Sequence, residues 1–517
     1  MSAQRIKAFL IILFSVFAVL SLTTGSGAQR SERNVSRAIP KTWDESALAD
    51  WATPVAGLNV RPTHISAKEY YALPVENLRT YPVYFPGREP EGYWDTLQHV
   101  GPKPLIEPEN LKTDADWIEA GRLVFEEADH LHLRTFAPEL ISAARSPKTF
   151  EGRRPLPDGT VSDLRWVPTR NGLALSLPNC TNCHLLHLPD GTRVPGAPTF
   201  ATPGPRGRSG LVRPLQTAMR SVTGAPPFQM GAESFGMWLY QSYGVPWKKD
   251  DIHNRVKTMT EAEYNSWIDA SVRGGGVPRW NGSPYYSAKI PDLIGFKDRE
   301  YIDHTATHLH RGIGDLMRYA ALISFAEAAD FGPHHMLSKD TKRVRARLSD
   351  EALYALASYI YSLRPPPNPN PFDEKAKAGE KVFARAGCTM CHTPPLYTSN
   401  KLTLAQGFTP PNDVPATLDI LQMSVGTDPA LALGTRKGTG YYKVPSLRGV
   451  WYRGHYLHDG SVASLEEMFD PDRINGTHKP GGWSPPGTET RAIKGHEFGL
   501  RLSAEERVSL IAFLRTL

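Results

Sequence analysis

The sequence predicts a mostly α fold with long irregular loops, built as two related halves of which the first is enlarged by insertions. Two observations carry this expectation. Segments recur in the same order: AGRLVF at Ala120–Phe125 is answered by AGEKVF at Ala378–Phe383, and LSDEALYALASYIYSL from Leu348 by LSAEERVSLIAFLRTL from Leu502. The 43 glycines and 45 prolines among 517 residues call for long irregular connections, while 40% hydrophobic content is enough to fold and excludes a low-complexity chain.

The first element is a leader. Arg5 and Lys7 precede an apolar run, Ala8–Leu22, and a small-residue stretch ending at Ala28, the layout of a bacterial Sec-type signal peptide (residues 1–28) cleaved near Ala28–Gln29. The run is short against the roughly 20 residues that span a bilayer, so membrane attachment is expected only if the segment stays uncleaved. The mature chain is expected in the periplasm or outside the cell. Its loss removes two basic and no acidic residues, taking the formal charge from +6 to +4. No run of lysines or arginines points to nucleic acid.

Residues 29–110, rich in proline and aromatics, have no counterpart in the second half and are expected to wrap the surface as an N-terminal extension. The first half proper is placed at 111–363 and the second at 374–517. Between them, the prolines of RPPPNPNPF, Arg364–Phe372, cannot continue a helix, so 364–373 is a stiff linker. Within each half the alanine and the Val-Phe pair four residues on share one helical face. The later matched segments open on Ser and acidic residues, then show apolar positions at i, i+3, i+4 and i+7, the pattern of a capped closing helix. The first half is inflated: 54 residues separate Phe125 from Cys180, against four between Phe383 and Cys388.

Four cysteines in an exported chain would ordinarily suggest two disulfides. Here Cys180 and Cys183 precede His184, and Cys388 and Cys391 precede His392, so every cysteine belongs to a C-x-x-C-H unit. In that unit two thiols add across the vinyl groups of one haem and the histidine turns to the iron. A four-cysteine zinc site would leave both histidines unexplained, and redox-active thiol pairs would need βαβ surroundings that the helical repeat does not offer. The reading is two covalently bound haem c groups in two cytochrome c-like domains, with Cys180, Cys183, His184, Cys388, Cys391 and His392 binding the cofactors.

The reaction then depends on the far side of each iron. A closed iron suits electron transfer, whereas an open position admits dioxygen or hydrogen peroxide. For the second haem the candidates are Met423, His455, His458, Met468, His478 and His496. His496 stands in KGHEFG just before the closing helix, and Met468, in SLEEMFDP, is at helical spacing with core residues Leu465 and Phe469. In the first half, YIDHTATHLHRGIGDLMRY holds His304, His308 and His310. Read as a helix start, it puts His304 and His308 on one face, fit to bind a metal or crowd a distal pocket near haem 1. The plainer reading is a polar cluster bonded to propionates or backbone. His187 is expected at solvent or a propionate, and Trp280 is a candidate relay between haems or a core residue.

VPSLRGVWYRGHYLHDGSVASLEE, Val444–Glu467, resembles the segment of bacterial di-haem cytochrome c peroxidases in which P-S-L-R leads to H-D-G-S. Together with VGTDP at Val425–Pro429 and the late GHEFG, it is similar above all to the rubber oxygenase branch of that superfamily. The resemblance covers about 115–517 and is most specific from Val425 on. It implies that His496 closes the second haem, with Met468 the alternative, and that the haem on His184 is the reactive one. The peroxidases' distal glutamine and glutamate pair has no match found here. The expected function is a redox protein, an oxygenase-like or peroxidase-like oxidoreductase or a pure electron-transfer cytochrome, served by a small redox partner protein.

Overall fold

The computed structural model describes residues 38–130, 134–150, 155–156, 158–176, 180–199, 232–249, 254–277, 282–325, 330–334 and 346–517. The leader Met1–Ala28 and Trp280 lie outside the described residues. By its contacts the chain divides at Ala38, and every element below belongs to the second unit, Ile39–Leu517.

The helices form where caps and apolar spacing coincide. Helix α1, Asp114–Glu127, starts with a capping box between Thr113 and Asp116. After α2, Ile313–Phe325, come α3, Asp350–Ser362, capped by Ser349, and α4, Glu374–Arg385, capped by Asp373. The last, α5, Ala504–Arg515, opens with a Ser503–Glu506 box. Such caps satisfy amide donors that the first helical turn leaves open, each contributing about 1 kcal/mol.

The repeat in the sequence is a repeated helix crossing. α1 packs on α3, and α4 packs on α5. At Gly121 an added Cβ would lie 1.9 Å from Ala355 O and 2.7 Å from Tyr359 Cβ; at Gly379 it would lie 1.9 Å from Ser509 O and 2.8 Å from Phe513 Cβ. The glycine of each A-G-x-x-V-F segment is therefore required by backbone contact. One turn later Phe125 meets Tyr359 at 5.4 Å and 58°, and Phe383 meets Phe513 at 5.3 Å and 59°.

The expectation of a mostly α chain needs correction: the described residues mix helix and sheet, with long loops between. Much of the strand lies in the stretch that inflates the first half. Strands β1 (Tyr81–Tyr84), β2 (Arg134–Thr135), β3 (Thr160–Thr169) and β4 (Gly172–Ser176) form one sheet in the order β1-β3-β4-β2. Thr169 pairs with Gly172 across the two-residue turn Arg170–Asn171, and Gly172 takes a positive φ of +109° that glycine adopts without a Cβ clash. The dipeptide Asn171–Gly172 was the available signal. Hairpins follow at β5 (Leu185–His187) with β6 (Arg193–Pro195), and at β7 (Tyr301–Ile302) with β8 (His308–Leu309). In the second half β9 (Leu402–Leu404) lies between β10 (Ile420–Ser424) and β11 (Tyr441–Lys443).

The N-terminal extension does more than wrap the surface. Trp43, Trp51 and Tyr70 are at most 1% exposed and join α1, α2 and α3 in the largest core cluster. Its aromatics supply the area that its prolines cannot, since a buried indole removes about 200 Å² from water. No helix among the described residues is long and apolar enough to cross a membrane.

Candidate haem sites

The second motif sits in a turn made by glycine. Gly387 adopts φ +77° and caps the one-turn helix Cys388–Met390, and His392 N donates to Cys388 O at 2.8 Å. The first motif closes in the same way, with His184 N donating to Cys180 O at 2.9 Å. Each second cysteine carbonyl is then held by the returning chain: Ser399 N donates to Cys391 O at 2.7 Å, and Thr199 N to Cys183 O at 3.0 Å. All four cysteines are free of disulfides. Burial pushes the Cys180 thiol up to about 12 and Cys388 up to about 11, the opposite of the lowered values that reactive thiol pairs need.

A cavity of 340 Å³ opens beside the second motif, lined by Cys388, Cys391, His392, Met468 and His496. The His392 ring lies with Nδ1 3.1 Å from Tyr397 O. That carbonyl takes a proton from Nδ1, which assigns the neutral tautomer with a free lone pair on Nε2. Burial lowers its pKa to about 4, so it is neutral at pH 7.

His496 reaches the cavity from a pinned loop. Its amide donates to Val425 O at 2.5 Å, and its own φ is +47°. Beside it Gly495, at φ +82°, packs so tightly that a Cβ would meet Gly426 C and Thr427 N at 2.2 Å. The VGTDP and GHEFG segments are thus in direct contact. Arg473, fully buried, donates to Met468 O (2.9 Å), Ile493 O (2.6 Å), Gly495 O (2.9 Å) and His496 O (2.8 Å). Burial, then His392 and Arg473, hold the His496 ring at about 4.

The two imidazoles face one another, with ring centres 6.3 Å apart and planes at 56°. Two metal–imidazole bonds of about 2 Å each fit between their nitrogens at this spacing. His496 Nδ1 is buried with no hydrogen-bond partner among the described residues. The wall beside them is apolar, from Phe383, Leu510 and Leu514. Two thiols, two neutral imidazoles and an apolar wall are what a covalently attached, six-coordinate haem requires, so the residues fit that group.

The other second-half candidates lie elsewhere or have other partners. Met468 lines the cavity and belongs to the core at 7% exposure. His458 also lines it, stacked on Tyr442 at 4.4 Å. His478 binds Glu467 at 2.9 Å, His455 is buried, and Met423 sits on β10.

The histidine cluster of the first half is not a helix start. Tyr301–Leu309 is a hairpin, reversed by Asp303 and Ala306 at positive φ (66° and 54°), so the shared helical face of His304 and His308 does not exist. Their side chains part. His304 lines the cavity of the second motif and bonds Lys289 O at 2.7 Å through Nε2. His308 meets His64 of the extension, Nε2 to Nε2 at 3.3 Å, and packs on Trp51. His310 bridges Arg299 O and the Tyr361 hydroxyl at 2.6 and 2.7 Å. No group of three residues able to hold a metal ion is found among the described residues.

Around the first motif, His184 and His187 are half-buried. Cys180 Sγ lies 3.2 Å from Nε2 of the buried His130. Sequence reasoning missed His130, Tyr397 and Arg473: His130 meets Cys180 and Arg473 meets the His496 loop across distant segments, while Tyr397 acts through a backbone carbonyl that no residue type signals.

No family model matches the chain. Among curated proteins it is 29% identical over 197 residues to cytochrome-c peroxidase IdrP1 of Pseudomonas sp. (strain SCT), covering 32% of this chain and 49% of that one. The same protein of Denitromonas iodatirespirans matches at 29% over 161 residues, covering 28% and 40%. The chain is distantly similar to cytochrome c peroxidases. It spans about half the length of the curated relatives it matches. Solved structures with a local likeness include Kuenenia stuttgartiensis hydrazine synthase (16% identity, 56% of this chain and 89% of that one, TM-score 0.27). Another is a MauG-like protein associated with microbial copper homeostasis (22%, 35% and 58%, TM-score 0.20).

Proposed function

We propose that the chain is an exported di-haem c-type cytochrome acting as an oxidoreductase. The haem on Cys388, Cys391 and His392 is closed by His496 and serves electron transfer; the haem on Cys180, Cys183 and His184 is the one that meets the oxidant. The observation that carries this reading is the pair of neutral imidazoles, His392 and His496, facing one another at 6.3 Å beside two cysteines. When bound, such haems supply a one-electron couple where both axial positions are filled and an oxidant-binding position where one is open.

The chain's own residues do the rest. Tyr397 O fixes the His392 tautomer, and Arg473 with Val425 holds the His496 loop so that its ring keeps one position facing His392. Similarity of the HDGS and GHEFG segments to rubber oxygenases supports dioxygen as the oxidant. A second reading, hydrogen peroxide, is supported by the peroxidase names of the curated relatives. Absorption spectra of the reduced protein with and without carbon monoxide test the assignment. Binding at one haem is expected, and binding at neither would leave a pure electron-transfer cytochrome. Dioxygen uptake on an unsaturated hydrocarbon, compared with peroxide turnover on a reduced small cytochrome, then chooses the oxidant.

A further inference from the structure

The cavity beside the imidazoles is also lined by Lys289 and Arg299 from the first half and Lys443 and Arg453 from the second. Two carboxylates share this lining, and Asp298 pairs with Arg448, also of the lining, at 3.6 Å, which leaves Asp292 for the other four. Asp292 Oδ2 stands 3.8 Å from Arg453 Nε and accepts from the Tyr452 hydroxyl at 3.0 Å. Among the described residues no carboxylate lies within ion-pair distance of the other three. Arg299 donates to backbone oxygens, with Ile294 O at 3.1 Å. Lys443 Nζ donates to Tyr301 O at 3.2 Å, and Lys289 Nζ lies 5.9 Å from the Tyr456 ring centre.

All four are half-buried, and cations partly withdrawn from water with little counter-charge are costly. Burial accordingly pushes Lys289 and Lys443 down to about 7 and Arg299 to about 10. Buried charges are as a rule paired, and an anion held in this cavity meets these cations. A haem is a flat apolar ring with two carboxylates, and this cavity is divided in the same way, an apolar wall beside a cluster of cations.

We propose that Lys289, Arg299, Lys443 and Arg453 form a cradle for the two propionate carboxylates of the haem on Cys388, Cys391 and His392, so that this cofactor clamps the two halves together. The proposal rests on the haem assignment made above. It gives the cations a second effect: by countering the carboxylates they stabilise the reduced iron, which carries one positive charge fewer, and raise its potential. The backbone is arranged for such a clamp, since Lys443 N donates to His304 O at 3.0 Å and Lys289 N to His458 O at 2.8 Å, each bond crossing between halves.

The test is a redox titration of the holoprotein carrying Lys289→Met and Lys443→Met, followed by the spectrum of each haem. Both haems should remain attached by mass, and reduction of haem 2 should become at least tenfold less favourable, about 59 mV for one electron, with haem 1 unchanged. Arginine at the same two positions should restore the wild-type value. If the double methionine variant does not accumulate, Lys443→Met alone is read in the same way. An unchanged haem 2 potential with both haems attached overturns the cradle. Failure of the underlying assignment would look different: peptide masses of the wild-type protein would show Cys388 and Cys391 without haem.

Discussion

The two halves share a helix crossing but differ in what surrounds the motif. In both, a glycine lets a helix carbonyl approach to the same distance, and an aromatic pair follows one turn later at nearly the same angle. Beyond the crossing they diverge. The second half runs directly from Phe383 into its motif and meets it with His496; the first inserts a sheet and the β5–β6 hairpin around Cys180–His184. The lesson is that the crossing is scaffold and is kept in duplicate, while the halves differ in the segments between.

The largest effect should come from removing the second attachment. Cys388→Ser with Cys391→Ser should halve covalent haem by pyridine haemochrome assay while leaving the reactive haem spectrally intact. Loss of both haems would mean that the halves are not separable. Next, Gly121→Val and Gly379→Val should each lower stability by about 3 kcal/mol in denaturant titration, because the clash is with backbone in both. A large difference between them would break the scaffold comparison.

A smaller change is expected at Arg473. Arg473→Met deprives four carbonyls of their donor and loosens the His496 loop, so carbon monoxide should bind partly at haem 2, with Arg473→Lys in between. Smallest is an acid effect where the extension meets the first half. Burial pushes His64 down to about 4 from 6.5, and His308 also well below it. Between those values the unfolded chain binds more protons than the folded one, so stability is full above pH 6.5 and lost as pH falls toward 4. His64→Gln should make that loss shallower in unfolding curves at pH 7 and pH 5.

Much of this was legible beforehand. The four helices of the crossings follow from caps and apolar spacing, and the two C-x-x-C-H units from cysteine scarcity. The sheet was not, because Asn171–Gly172 and the strand beside it lie in a stretch dominated by its length. The separation of His304 from His308 was hidden too, since i, i+4 spacing brings two residues together only if the backbone is helical, and here it turns back. Lys289, Arg299, Lys443 and Arg453 come from distant segments, so their convergence has no local signature. His496 could be nominated by its place in the sequence, but Arg473, which holds it, could not.

Low-temperature electron paramagnetic resonance of the fully oxidised protein tests the central claim most directly, with wild type and His496→Ala compared at equal haem content. A low-spin signal of a bis-imidazole haem in the wild type, replaced by a high-spin signal in the variant, is the expected result. A low-spin signal unchanged in His496→Ala would contradict the account, and a low-spin signal of histidine–methionine type in both proteins would return the sixth position of haem 2 to Met468.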